Sequence, residues 1–468
     1  MCNYDEGCRG SLTPIYDFIN SYRKKQPVRF HMPGHKGKSF LGFEEFDITE
    51  ISGADSLYEA EGIIAESEKN ASLLFGSSAT FYSTEGSSQC IKAILYLLLS
   101  SSDRQKGKRP YIIATRNAHK AFFHGAALLD LDVVWWQPEK REALCSIKLN
   151  ISDLEQLLKE RDEKPIGVYI TSPDYLGNVL PIRDIADLCH KYETELAVDN
   201  AHGAYLHFLD KPLHPLDLGA DLCCDSAHKT LPVLTGGAYL HLGKNIKQTL
   251  QKEARQSLAI FGSTSPSYLT LISLDYCNRY LTFDYHEKLK LCIERIRILK
   301  EDLLEAGWKV EDTEPLTLTI RINYLQEQEK RNGPWLAEKL ETEGIYAEYA
   351  DPDFLVLMFT PENGEEEFLS LEKILFTISA EKAAWKTESR QPVWKEEKRV
   401  QIISFREALL SQSEAISVES AEGRICANPM ISCPPAIPIV VGGERITGED
   451  IKLLQYYGIE QISVIRND

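Results

Sequence analysis

Positive charge is in short supply in this chain: 52 Lys and Arg stand against 70 Asp and Glu, a net charge of −18. Nucleic-acid and anionic-membrane binders present basic surfaces, so this balance argues against a general role on either. It favours solubility without naming a substrate. Long apolar runs are missing too. The longest, Ala93-Ile-Leu-Tyr-Leu-Leu-Leu99, is far too short to span a bilayer. The N-terminal stretch holds Asp5, Glu6 and Arg9 with no long apolar core, so no secretory leader is expected. The 11 cysteines are odd in number, scattered, and never spaced as Cys-x-x-Cys. Reduced thiols and a cytoplasmic setting follow as the simplest expectation. Cys223 and Cys224 fall in an apolar run and are expected to be packed.

What is there is enough for several domains. The chain has 468 residues, 43% of them hydrophobic, which suggests two to four domains with a sizeable core. No internal repeat is visible. A short helix is expected over 12–22, followed by a break at Pro33, Gly34 and Gly37. From residue 61 the pattern alternates. Helices are expected at 61–75, 87–99, 120–129 and 182–192, and strands at 111–115, 166–171, 196–199 and 220–224. Residues 238–242 read as an antiparallel partner. Short apolar strands between helices predict an α/β fold with a mostly parallel sheet covered on both faces. Residues 265–305 read as largely helical. A smaller α+β unit follows, with strands at 316–322, 346–349 and 354–359 and helices at 335–343 and 366–380. Lys- and Glu-rich residues 381–402 read as a linker. Pro434-Pro-Ala-Ile-Pro438 and Val441-Gly-Gly-Glu444 mark a C-terminal cap ending in a helix–strand pair. The expected division is an N-terminal arm (1–40), a large domain (41–284), a small domain (285–385), and a linker with C-terminal domain (386–468).

Ligands in open parallel sheets bind beyond the carboxyl ends of the strands. Four such ends carry unusual polar groups: Asn117-Ala-His-Lys120, Ser172 to Asn178, Asp199-Asn-Ala-His-Gly203, and Ser226-Ala-His-Lys229. Lys229 follows an apolar strand and precedes the Gly236-Gly237 pair. A lysine so placed can lose its proton and attack a carbonyl. Lys36 and Lys120 are its rivals, in less apolar settings. Asp199 suits a site that keeps a pyridine nitrogen protonated, although alone it also reads as a turn residue or helix cap. Together they suggest a pyridoxal phosphate site. Thr84-Glu-Gly-Ser-Ser88 opens a helix, where free N–H groups and hydroxyls would take a phosphate; ordinary capping by Ser87 or Ser88 is the alternative. His119 reads as an aromatic plate over the cofactor ring, or as a satisfied strand-end histidine. No metal is expected. His31 and His35 are separated by Pro33 and Gly34, and no spacing supplies three or four ligands.

These motifs, with His31-Met-Pro-Gly-His-Lys-Gly37, Asp55-Ser-Leu-Tyr58, Ser226-Ala-His-Lys-Thr-Leu-Pro232 and Glu422-Gly-Arg424, make the chain resemble the bacterial Orn/Lys/Arg decarboxylases. The resemblance extends over nearly the whole chain and is to the short form without an N-terminal wing domain. It implies an aminotransferase-like, fold type I enzyme that uses pyridoxal 5'-phosphate. It implies that Lys229 forms the Schiff base, Asp199 pairs with the pyridine nitrogen, and His119 stacks on the ring. It places His202 near the phenolic oxygen and assigns the phosphate to Gly86, Ser87, Ser88, Ser226 and His228. It also implies a homodimer or larger homo-oligomer, with His31–Gly37 at a subunit interface. The phosphate segment departs from the family's Asn-Gly-Thr: Glu85 stands beside it and is expected to face away. Cys433 replaces an aromatic residue before the Pro-Pro pair.

The expected reaction is decarboxylation of a basic L-amino acid in polyamine metabolism, with arginine first, then lysine or ornithine. The alternatives are another reaction of the same cofactor, such as transamination or aldol cleavage, and a catalytically silent regulatory homologue. An aminotransferase would need an arginine clamp for the α-carboxylate, and Arg424 is its one candidate.

Overall fold

The computed structural model describes residues 11–102, 108–138, 140–141, 143–244, 246, 248–322, 331–382, 394–395, 399–428 and 437–466. Most of the 381–402 linker, and Cys433 with Pro434 to Ala436, lie outside the described residues. The chain divides into two compact units, one of residues 1–101 and 195–287, the other of 102–194 and 288–468.

In the first unit four strands lie side by side. Leu196–Asp199 runs parallel to Leu222–Asp225, and Asp199 stands opposite Cys224. Leu222–Asp225 is antiparallel to Ala238–Leu242, which is antiparallel to Ala79–Ser83. The three later strands are buried at every residue. Such continuous runs belong to strands covered on both faces. Helix Ser87–Ser101 supplies part of that cover, burying Ile91, Ile94, Leu95 and Leu98. Strand Ala79–Ser83 is absent from the sequence expectation, and the expected 220–224 strand is shifted to Leu222–Asp225. The shift brings Asp225 inside the sheet.

In the second unit Val168–Thr171 and Asp132–Trp136 both pair in parallel with Tyr111–Thr115. Helix Ile182–Lys191 shows why the periodicity was legible: Ile182, Ile185, Ala186 and Cys189 are buried, the stripe one helix face buries against a core. Asp184 in its first turn and Lys191 in its last suit the helix dipole. Tyr349–Ala350, Phe354–Met358, Thr317–Arg321 and Lys309–Val310 make a four-stranded antiparallel sheet. Ser413–Ser417, Gln461–Ile465 and Cys426–Asn428 make a three-stranded one. Val356, Val418, Cys426, Ile446 and Val464 share a single apolar cluster, which joins the C-terminal strands to the small sheet. Among the described residues no helix is long and apolar enough to cross a membrane.

Candidate active site

Strand Leu222–Asp225 gives way at Ser226 to a one-turn helix, Ala227–Thr230. Lys229 N donates to Ser226 O at 3.0 Å. His228 pins the turn twice to the glycine pair, its backbone N and its Nδ1 reaching Gly237 O at 3.2 and 2.9 Å. A carbonyl only accepts, so Nδ1 of His228 carries the proton. Lys229 is partly buried, and its Nζ lies 2.7 Å from Nε2 of His202, itself 7% exposed. His202 sits in the turn that ends strand Leu196–Asp199, and Asp199 is buried at the end of that strand.

The phosphate candidates gather at the start of helix Ser87–Ser101. Ser87 Oγ and Ser226 Oγ are 2.8 Å apart. Gly86 has φ 73°, a conformation that favours glycine, and its N–H donates to Gly236 O at 2.7 Å. Gly236 must also be glycine, because a Cβ there would come within 2.8 Å of Thr84 O. At Gly86 the reverse holds: a Cβ would meet nothing nearer than Ser88 N at 4.0 Å. The helix start therefore opens onto free space bordered by N–H groups and two hydroxyls, the features of an anion site. The Glu85 carboxylate accepts from Ser263 N, which holds this negative group in a bond of its own.

His119 belongs to the second unit. It caps helix Lys120–Leu128, and its Nδ1 accepts from Ala121 N at 3.2 Å. The proton of its neutral ring is therefore on Nε2. Two residues before it, Arg116 is buried and forms a bidentate pair with Glu444 at 2.9 and 2.7 Å. Arg424 donates to Glu414 Oε1 at 2.7 Å and Ile465 O at 2.8 Å, inside the C-terminal sheet. His31 and His35 take different partners, Tyr22 Oη at 2.6 Å and Asp47 Oδ2 at 3.2 Å.

Sequence reasoning missed a buried polar centre in the first unit. His214, Cys223 and Asp225 bring ligand-type atoms within 4.8 Å of one another. Leu216 N donates to His214 Nδ1 at 3.3 Å, so Nε2 of His214 carries a proton and donates to Asp225 Oδ2 at 3.0 Å. His241 Nε2 reaches the same oxygen at 3.2 Å. Oδ1 receives Asn200 Nδ2 at 2.7 Å and Cys223 Sγ at 3.5 Å. These groups satisfy a carboxylate instead of offering lone pairs to a cation. Burial opposes the charge on Asp225, but His214 and His241 overcome it and hold the group well below the usual carboxylate range. The Ala-Asp-Leu-Cys-Cys-Asp225 run contained the only available signal, an acid closing an otherwise apolar strand.

The sequence pattern of the Orn/Lys/Arg decarboxylase major domain matches residues 13–333, and that of the family's C-terminal domain matches residues 396–463. The chain belongs to this family. It is 30% identical over 464 residues to the protein YaaO of Bacillus subtilis, covering 94% of this chain and 93% of the relative. It is 28% identical over 472 residues to an arginine decarboxylase of the same organism, with 94% and 93% covered. The crystal structure of lysine decarboxylase LdcF from Francisella novicida superposes with a TM-score of 0.77 at 16% identity, covering 97% of this chain and 81% of that one, and shares its fold. The family member is thus an α/β amino-acid decarboxylase that depends on pyridoxal phosphate. The chain's own donor set fits that group: an amine on Lys229, a buried carboxylate on Asp199, and an open helix start flanked by Ser87 and Ser226.

Proposed function

We propose that this decarboxylase acts on arginine first, with lysine or ornithine next, releasing the amine and carbon dioxide in polyamine metabolism. The Lys229–His202 pair, held at 2.7 Å, carries the assignment of the reacting centre. The Bacillus relative named for arginine supports the order of substrates. We place the protein in the cytoplasm as a homodimer or larger homo-oligomer.

In this reading Lys229 supplies the amine that bonds the cofactor. His202 Nε2 is within reach to take a proton from Nζ or return one. Asp199 would keep the pyridine nitrogen protonated. Gly86, Ser87, Ser88, Ser226 and His228 would hold the phosphate, and His119 would be the aromatic plate for the ring. When bound, pyridoxal phosphate accepts the electron pair left as the Cα–carboxylate bond breaks. Arg424, the one clamp considered for transamination, is engaged with Glu414 and Ile465, which favours decarboxylation.

The test is product analysis on arginine, lysine and ornithine, with Lys229→Ala as control. Carbon dioxide and an amine are expected, and the variant should lose both turnover and the cofactor's visible band. A keto acid or aldehyde as product, or full activity in Lys229→Ala, would overturn the reading.

A further inference from the structure

Asp225 forms no part of the cofactor contacts described above, yet it touches both segments that supply them. It is fully buried, and its two oxygens accept from Asn200, His214, His241 and Cys223. Through the backbone it immediately precedes Ser226, which starts the Lys229 turn. Through its side chain it holds Asn200, the residue after Asp199. Asn200 is tied a second time by its N–H to Cys224 O at 2.9 Å. Its own carbonyl accepts Gly203 N at 2.8 Å, closing the turn that contains His202. The turn is tight around the Asn200 side chain: a Cβ on Gly203 would fall 2.1 Å from Asn200 Oδ1. His202 then meets Lys229. One carboxylate therefore joins two strand ends whose reactive groups must stay in register.

We propose that Asp225 is a positioning residue for Lys229, acting as a buried anion that fixes the Asn200–Gly203 turn, and with it His202, against the lysine. This rests on the reading of Lys229 as the cofactor's lysine. The chemistry of the site requires an acceptor-only group. Asparagine at 225 would turn its amide N–H groups either toward Asn200 Nδ2 or toward the two histidine Nε2 atoms, so donors would face donors. His214 and His241 serve as the anion's partners, and Thr80 Oγ1, 2.8 Å from His241 Nδ1, orients the second of them.

The experiment uses the full-length holoenzyme carrying Asp225→Asn and, separately, Asn200→Ser, which leaves the carboxylate and both histidines in place. Each is expected to lower kcat by about 10- to 100-fold, the range for losing a hydrogen bond to a charged group, with KM changed far less. Each should also move the pH midpoint of the visible band by about one pH unit. In the cofactor-free full chain, acetylation of Lys229 by acetic anhydride, followed by mass spectrometry against pH, should show the same displacement. Wild-type kcat, band titration and Lys229 labelling in Asn200→Ser would overturn the proposal, even if Asp225→Asn fails to fold. A melting temperature lowered without change in those readouts would also overturn it, since a merely structural role predicts that. If the wild-type protein shows no visible band, the cofactor reading fails instead, and the labelling measurement still reports whether Asp225 acts on Lys229.

Discussion

Asp199 shows how much a single buried charge is asked to do. It is 2% exposed, and Cys224 Sγ approaches its Oδ1 at 3.7 Å. A carboxylate this deep favours a cation beside it, and a protonated ring nitrogen would be one. Asp199→Asn keeps the shape and removes the charge. It is expected to lower kcat by about 10²- to 10³-fold, the scale of a lost preorganised electrostatic contact, while the protein still takes up cofactor. Steady-state kinetics with an absorbance titration checks this; an unchanged kcat would remove Asp199 from the mechanism. At this scale the sequence nominates Lys229, Asp199 and His202 because they stand at strand ends in distinctive polar motifs, and the role of each is the proposal made above. It does not nominate the residues beneath them. His241 meets Asp225 through the antiparallel pairing of Ala238–Leu242 with Leu222–Asp225, and His214 reaches the same carboxylate from the start of the short helix Pro215–Leu218.

Among elements, the join between strand Tyr111–Thr115 and the C-terminal segment at Val441–Glu444 rests on an ion pair within the second unit. Arg116 and Glu444 are each 1% exposed. Val441 N also donates to Glu444 Oε2 at 2.9 Å, and the Arg116 guanidinium lies 4.9 Å from the Trp135 ring centroid. Glu444→Ala would leave a guanidinium buried beside Ile439 O with its charge uncompensated. The expected loss is about 3–5 kcal/mol, read by urea denaturation. Replacing both partners with Arg116→Met and Glu444→Leu should return most of that stability, since a packed apolar pair avoids the desolvation of two ions. Elements with a strong apolar stripe, such as Ile182–Lys191, were visible in the sequence. Among the strands that were not, two show a physical reason. Ala79–Ser83 is rich in hydroxyls, and its burial depends on Ala238–Leu242 beside it and on Thr80 bonding to His241. Asp132–Trp136 follows a helix whose exit passes through Asp130 at φ 55°, so no glycine announced the break. Helices Ile151–Lys159 and Gln248–Phe261 were likewise passed over.

For the molecule as a whole, an acidic composition meets several carboxyls whose pKa burial raises. Desolvation pushes Asp275, Glu314 and Asp351 up to about 7 and Asp174 up to about 6, and it raises Glu68 against the pull of Arg255. In the unfolded chain these groups titrate near 4. Between those values the folded protein holds more protons than the unfolded one, so stability falls as pH rises from about 4 to about 7. His241 works the other way: burial lowers its pKa despite Asp225, so the unfolded chain binds the extra proton below about 6.5. One histidine opposes five carboxyls, and the net slope over that window stays negative. On the acid side, Asp225 and Glu44 reverse the trend. Backbone N–H groups of Leu41, Phe40 and Gly42 hold Glu44 down to about 2 despite desolvation, so its stabilisation is lost as pH falls through that value. The net charge of −18 at neutral pH adds self-repulsion that acid relieves. The melting temperature is therefore expected to peak near pH 5 and decline toward pH 7.5. Calorimetry across that range at constant ionic strength checks the sign. Asp351→Asn and Asp275→Asn should each flatten the slope, because a neutral amide removes the proton that the folded state alone retains; a slope unchanged in both variants would assign the pH dependence to other groups.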